Sequence, residues 1–423
     1  MIHSIHPIPP EHVAMPEALI SRFQLRFRSL AAMLATGLAG TAAPTAVFAA
    51  DPPPAAVPAD PAVFVSGTGG YHTFRIPALL EAADGTLLAF AEGRVNGRGD
   101  SGNIDLVLRR SADGGGTWGD LEVVWSDGAN TAGNPCPVLD RRTGTIHLLA
   151  TRNLGTDHEP RIIDGTSTRT RTVWVLSSAD HGASWSEPRE ITATAKRDDW
   201  TWYATGPGNG IQLERGPHAG RLLVPCDHIE RDTRHYYSHV IASDDGGATW
   251  RVLGRTPSHQ VNECAIAELA DGSLLLNMRN YDRSKRARAI SRSTDGGSSW
   301  SEVVREPALP EPICQASMVA IDEGRTLIFS NPASADRRER MTVRTSRDGG
   351  RIWSEGLLLH VGPSAYSSLA TLTPRASAAD AAPVVACLYE AGAAHPYEEI
   401  RFRTIDRAAL GLPDGNTPIA DKE

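Results

Sequence analysis

Five copies of one eight-residue pattern divide the middle of this chain into units of similar length. They occupy residues 111–118 (SADGGGTW), 178–185 (SADHGASW), 243–250 (SDDGGATW), 293–300 (STDGGSSW) and 346–353 (SRDGGRIW). All follow S-x-D-x-G-x-[ST]-W except the fifth, where Ile352 takes the hydroxyl position. Recurrence on this scale means stacked supersecondary units, each burying its apolar face against the next. The pattern is a local turn. Its Asp can accept N–H bonds from the following residues, and its Gly can adopt positive φ. Its Trp can pack on the neighbouring unit while the indole N–H keeps a partner.

A second repeat lies between the copies. A turn followed by an apolar run recurs at Asp84-Gly85, Thr143-Gly144, Ala219-Gly220, Asp271-Gly272 and Glu323-Gly324, and again from Ala382. After each of the first five comes another strand that runs into a copy of the pattern, then a short further strand such as 121–125. The chain is therefore expected to be all-β: a six-bladed β-propeller of four-stranded antiparallel blades over residues 63–410, with no second domain. The sixth unit has its third strand at 399–405 but no copy of the pattern. Its fourth strand is expected from Val63-Phe64-Val65, closing the ring. Antiparallel strands alternate direction. The first–second turns and the patterned turns thus belong to one face, and the second–third loops and the connections between units to the other.

The rest of the sequence bounds function more loosely. A formal net charge of −8 argues against a nucleic-acid surface. Arg22, Arg26 and Arg28 precede an Ala-rich run ending in Val47-Phe48-Ala49. This predicts a signal peptide over 1–49, with Met15 an alternative start, and an exported protein, periplasmic or secreted. A retained membrane anchor is the alternative reading of that run. Residues 50–62 are expected to be a Pro/Ala-rich linker and 411–423 a tail. No later stretch is long and apolar enough for stable membrane insertion of the mature chain. The five cysteines match no metal or redox spacing, so free buried thiols are expected, with a disulfide left open. His72, His158 and His228 lack metal-ligand spacing; nothing in the sequence demands a metal, and no cofactor is expected. A structural calcium in an Asp-rich loop stays open.

Polar residues gather where strands end on the second face. They include Glu92, Arg94, Arg98 and Asp100, then Asp157, Asp227, Arg279 and Asn331, with Arg344 following, and Glu390. The connections add Arg75, Glu263 and Tyr366. One such residue would be an ordinary solvated loop charge. Several, each at a strand end, point to a site.

The order of these residues carries a family likeness. Tyr71-His-Thr-Phe-Arg75-Ile-Pro77, followed by Glu92-Gly-Arg94, the patterned turns, Glu263, Arg279, Arg344, Tyr366 and Glu390, resembles the Asp-box (BNR-repeat) sialidases, in particular the bacterial exo-α-sialidases, over residues 64–405. Such turns alone occur in many other propellers. The Arg-Ile-Pro motif with the later Glu, two Arg and Tyr is the specific part.

The resemblance implies roles. Arg75, Arg279 and Arg344 would grip the carboxylate of a sialic acid with charge-assisted bonds, and Glu390 would orient Arg75. A carboxylate nucleophile would meet that carboxylate-bearing carbon against like charge. A neutral Tyr366 avoids this, with Glu263 as the base its high pKa requires. Asp100 would be the acid/base, with a raised pKa. Asp105 is its rival, but lies inside the strand 104–110. Arg94 would shape the acid and N-acyl region, and Asp157 would contact the sugar's N-acyl or hydroxyl groups. The run Trp200-Thr-Trp202-Tyr203 is either an aromatic wall or packing between units. The implied activity is hydrolysis of terminal α-linked sialic acids from glycans, glycoproteins or glycolipids, with retention through a tyrosyl-linked intermediate. The alternatives are a hydrolase of a related 2-keto sugar acid such as KDN, a trans-sialidase, or a non-catalytic glycan-binding propeller. The last predicts loss of Tyr366 or Glu263, and both are present.

Overall fold

The computed structural model describes residues 60–373 and 383–413. The expected signal segment lies outside these residues, as do the linker up to residue 59 and the tail beyond 413. Among the described residues no helix is long and apolar enough to cross a membrane.

Strands dominate, and they pair with their neighbours in sequence. Thr73–Glu81 pairs with Leu87–Arg94, which pairs with Ile104–Ser111, which pairs with Glu122–Trp125. The same antiparallel series recurs from Thr131–Asp140 to Arg189–Glu190, from Trp200–Thr205 to Arg251–Arg255, and from Val261–Glu268 to Val304–Pro310. It recurs again from Ser317–Ile321 into Leu357–Thr371. That long strand serves two series. Its first part pairs with Glu339–Ser346, and its second part with Pro383–Ala391. Pro383–Ala391 pairs with Glu399–Asp406, which pairs with Ala62–Val65. The segment expected to close the ring does pair with the last strand.

The patterned turns are built alike. Asp113 accepts the N–H and hydroxyl of Thr117 and the hydroxyl of Ser111. Asp180, Asp245 and Asp295 do the same with Ser184, Thr249 and Ser299. At Asp348, Ile352 can give only its N–H, and Arg351 adds another. Gly115, at φ +94°, leaves no room for a side chain, because a Cβ there would lie 2.0 Å from the Phe402 ring. The tryptophans meet rings of adjacent series edge-on: Trp118 on Phe402 at 5.1 Å and Trp185 on Phe90 at 5.7 Å. The expected indole hydrogen bond forms only at Trp250, to the Gly247 carbonyl. The N–H groups of Trp118, Trp185, Trp300 and Trp353 have no partner. Their rings belong to the apolar layers between sheets, where contact with carbon decides the seat.

All five cysteines are buried and unpaired, as expected.

The innermost strands share a feature that no pattern in the sequence announced. Five carry a register break: four near their first residues, at Arg75/Ala78, Gly133/Cys136, Trp200/Tyr203 and Val261/Cys264, and one midway along Leu357–Thr371, at Ser364/Ser367. Ile76 and Asn134, within two of these breaks, have φ near +58° and +54°. Bulges bend a strand and re-aim its side chains, and they concentrate beside active sites. Here they turn Arg75, Asn134, Trp202, Glu263 and Tyr366 into one cavity.

Candidate active site

Two cavities open at opposite ends of these inner strands. The larger, about 420 Å³, is lined at the far ends by Glu81, Gln212, Glu268 and Thr371, and holds none of the residues singled out above. The smaller, about 280 Å³, holds six of the nine residues given a role, Arg75, Arg94, Asp100, Glu263, Arg279 and Tyr366, together with Glu92 and Arg98.

Its floor is Tyr366, which is 5% exposed. The phenol donates to Glu263 Oε1 at 2.6 Å and accepts from Arg279 Nη1 at 3.1 Å. Arg279 Nη1 also donates to Glu263 Oε2 at 2.6 Å. Burial, then the nearby Glu263 carboxylate, push the Tyr366 hydroxyl well above its ordinary pKa against the opposing pull of three arginines. The phenol is thus neutral in the resting site, and a base is already in contact with its proton.

Glu390 lies beneath the cavity, fully buried. It accepts from Arg75 Nε at 3.2 Å, from the Ile76 N–H at 2.9 Å and from the Tyr366 N–H at 3.0 Å. One carboxylate therefore fixes the guanidinium and both backbones that carry the reactive groups. Arg75 Nη2 is buried with no partner. The ring of Tyr397 covers this guanidinium at 4.0 Å, and its hydroxyl accepts from Arg338 Nη1 at 2.7 Å.

Asp100 stands at the rim with its side chain 56% exposed, 2.8 Å from Arg94 Nη1 and 3.4 Å from Arg75 Nη1. Desolvation raises its pKa, but Arg94 and Arg75 outweigh it and hold the carboxyl below the ordinary value. The raised pKa expected for this carboxyl is thus not found, because two guanidiniums face it. Arg94 is gripped in turn by Glu92 at 2.6 Å. The rival Asp105 does not reach the cavity. It accepts the Tyr71 hydroxyl at 2.8 Å.

Two expected site residues lie elsewhere. Arg344 is near the far end of Glu339–Ser346, two residues before the patterned turn, with Asn331 Oδ1 at 3.5 Å. A strand running away from the cavity carries its last residues to the opposite face. The third arginine acting on Tyr366, beside Arg75 and Arg279, is Arg338, in the loop before that strand. Asp157 is buried and accepts the N–H groups of Thr168 and Arg169, so it braces a loop instead of reaching the cavity. The aromatic run divides: Trp202 lines the cavity, while Trp200 stacks on His228 at 3.6 Å.

The cavity also contains Asn134, Glu159, Arg171, Asp227, Asn262, Tyr281 and Tyr397, to which sequence reasoning gave no role. For Arg338 a signal existed. It sits in the same kind of second–third loop that supplies Arg98 and Asp100.

Three guanidiniums thus surround a buried phenol that is hydrogen-bonded to one carboxylate, with a second carboxyl at the rim. Residues 85–374 match the BNR repeat-like domain family. The sialidase of Micromonospora viridifaciens is 35% identical over 367 residues, spanning 81% of this chain and 55% of that protein. The exo-alpha-sialidase of Arthroderma benhamiae is 34% identical, over 71% of this chain and 75% of that protein. Human sialidase-4 is 30% identical, over 78% and 90%. Among solved structures, the Hadza microbial sialidase Hz136 superposes with a TM-score of 0.72 at 30% identity, covering 82% of this chain and 68% of that one. Trypanosoma rangeli sialidase, at 21% identity and a TM-score of 0.64, shares the propeller fold. The chain belongs to the sialidase family of glycoside hydrolases.

Proposed function

We propose that this protein is an exported exo-α-sialidase on a six-bladed propeller. It would remove terminal α-linked sialic acids from glycans with retention of configuration. The observation that carries the reading is the set Arg75, Arg279 and Arg338 around the Tyr366–Glu263 pair. Unpartnered donors at Arg75 Nη2 and Arg279 Nε suit a bound carboxylate.

In this mechanism the arginines seat the carboxylate and bring the anomeric carbon over Tyr366. Tyr366 Oη bonds to that carbon as its proton passes to Glu263. Asp100 protonates the departing glycosidic oxygen, and the aglycone leaves. Asp100 then takes a proton from water, whose oxygen attacks the same carbon. The tyrosyl bond breaks, and Glu263 returns the proton to the phenol. Two displacements at one carbon give retention.

Support for six blades comes from the serial four-strand pairing closed by residues 62–65. Export rests on the composition of residues 1–49. The test is release of a fluorogenic α-sialoside, followed by proton NMR of the first-formed sugar. Release of the α-anomer is expected. No release from any sialoside, or β-anomer first, overturns the reading.

A further inference from the structure

The break in register at Ser364/Ser367 interrupts the ladder beside Tyr366. Two buried side chains hold the main chain there. Glu390, on the paired strand, accepts the Tyr366 N–H at 3.0 Å. Gln315, just before Ser317–Ile321, takes the next residue. Its Oε1 accepts the Ser367 N–H at 3.0 Å, and its Nε2 donates to the Ser367 carbonyl at 2.9 Å and to the Pro207 carbonyl at 3.0 Å. One side-chain amide thus serves Ser367 as a neighbouring strand would, with both amide hydrogens in use. An apolar side chain of the same length would fill the space equally well. The amide is needed only for the main chain beside Tyr366.

Gln315 is itself held. Arg288 and Glu311 form a fully buried ion pair at 3.2 Å. Glu311 accepts the Cys314 N–H at 3.2 Å, and Arg288 donates to the Cys314 carbonyl at 2.6 Å, so both main-chain groups of the preceding residue are fixed. The Ile313 carbonyl accepts from Arg338 Nη2 at 3.0 Å, and Glu311 also accepts the N–H of Asn280, next to Arg279. Residues 311–315 therefore touch Arg338 and the neighbours of Arg279 and Tyr366.

We propose that Gln315 is a positioning residue for the nucleophile: by clamping both main-chain groups of Ser367, it fixes the bulge that holds the Tyr366 hydroxyl against Glu263. This rests on the sialidase reading above. A nucleophile displaced by about 1 Å loses on the order of a hundredfold in rate, although the groups that bind the sugar's carboxylate stay in place.

The experiment uses a sialosyl fluoride that carries a second fluorine beside the anomeric carbon. Tyr366 Oη displaces the anomeric fluoride as its proton passes to Glu263, and the slowly hydrolysed adduct is counted by mass spectrometry. In Gln315→Met, capture and kcat should both fall by roughly ten- to hundredfold. Affinity for an unsaturated sialic acid analogue, which needs no nucleophile, should stay within about threefold of wild type. Gln315→Glu keeps the acceptor for Ser367 and regains a donor when protonated. Its kcat relative to wild type should therefore rise as pH falls from about 7 to about 5. A folded Gln315→Met protein captured at the wild-type rate overturns the proposal. So does an affinity that falls as far as capture does, since Gln315 would then only maintain the fold. Should Gln315→Met fail to fold, a flat ratio of Gln315→Glu to wild type across that pH range overturns it. A wild type that is neither captured nor able to hydrolyse any sialoside overturns the sialidase reading, and this inference with it.

Discussion

The Tyr366 hydroxyl and the Glu263 carboxylate meet at 2.6 Å inside a buried site, although 103 positions separate them in the chain. They sit on two inner strands of different sheets, each beside a break in register, at Val261/Cys264 and Ser364/Ser367. A phenol whose pKa is pushed up by burial is a poor nucleophile alone, and a carboxylate already holding its proton removes that obstacle.

Removing either half should therefore abolish most turnover while leaving the fold intact. Tyr366→Phe and Glu263→Gln are each expected to lower kcat by roughly 10²–10⁴-fold, the range for losing positioned proton transfer. Steady-state hydrolysis of a fluorogenic sialoside, alongside thermal melts, measures both. Wild-type kcat in either variant would refute its assigned role.

The arginines separate cleanly. Arg338→Ala should lower kcat/KM by roughly ten- to hundredfold, the loss of a charge-assisted bond to a bound carboxylate. Arg344→Ala, at the opposite face, should leave kcat/KM within about twofold of wild type, since surface changes away from such contacts cost little. The reverse order of effects would return Arg344 to the site.

Asp100 gives a pH signature. Arg94 and Arg75 hold its carboxyl below the ordinary value. A bound substrate carboxylate neutralises part of that field, so the pKa of Asp100 rises in the complex. The acid must be protonated, and activity falls as pH rises through its pKa. The alkaline limb should thus lie at higher pH in kcat than in kcat/KM, which report the complex and the free protein respectively. Coincident or inverted limbs would contradict the assignment.

The aspartates of the repeated turns should matter to stability alone. Hydrogen bonds from Ser184 and Ser178 lower Asp180 from 3.8 to about 2. Its stabilisation is full above the unfolded value and lost as pH falls through the folded one. Asp180→Asn should melt a few degrees below wild type at neutral pH with kcat unchanged. The gap should close between about pH 4 and pH 2. A drop in kcat without a drop in melting temperature would place this turn in the chemistry.

The repeats made strand order and facing legible, because a turn with its own hydrogen bonds is written in adjacent residues. Arg75 was legible for the same reason, within Arg-Ile-Pro. Arg338 was not. The run Arg337-Arg338-Glu339-Arg340 offers three arginines without periodicity, and the register of a loop is set by what it packs against. Here Tyr397, far away in sequence, selects one of them. Asp157 misled because an acidic loop residue beside the site looks alike whether it faces the sugar or its own backbone. The bulges left no trace either, since a register break is a property of two paired strands.

The pairing of Ala62–Val65 with the last strand has a consequence for how the protein is made. Every other sheet joins segments that leave the ribosome in succession. This one ties Ser66 to the Tyr397 carbonyl, 331 residues away, and Asp60 to Tyr389 across 329. Contacts of such range form late, after the loop-closure entropy has been met. Tyr397 is also the ring over Arg75 and the partner of Arg338. If the reading proposed above holds, the surroundings of Arg75 and Arg338 would come together last, after the final strand has been made, and a nascent chain already carrying all three arginines would not yet hold a substrate.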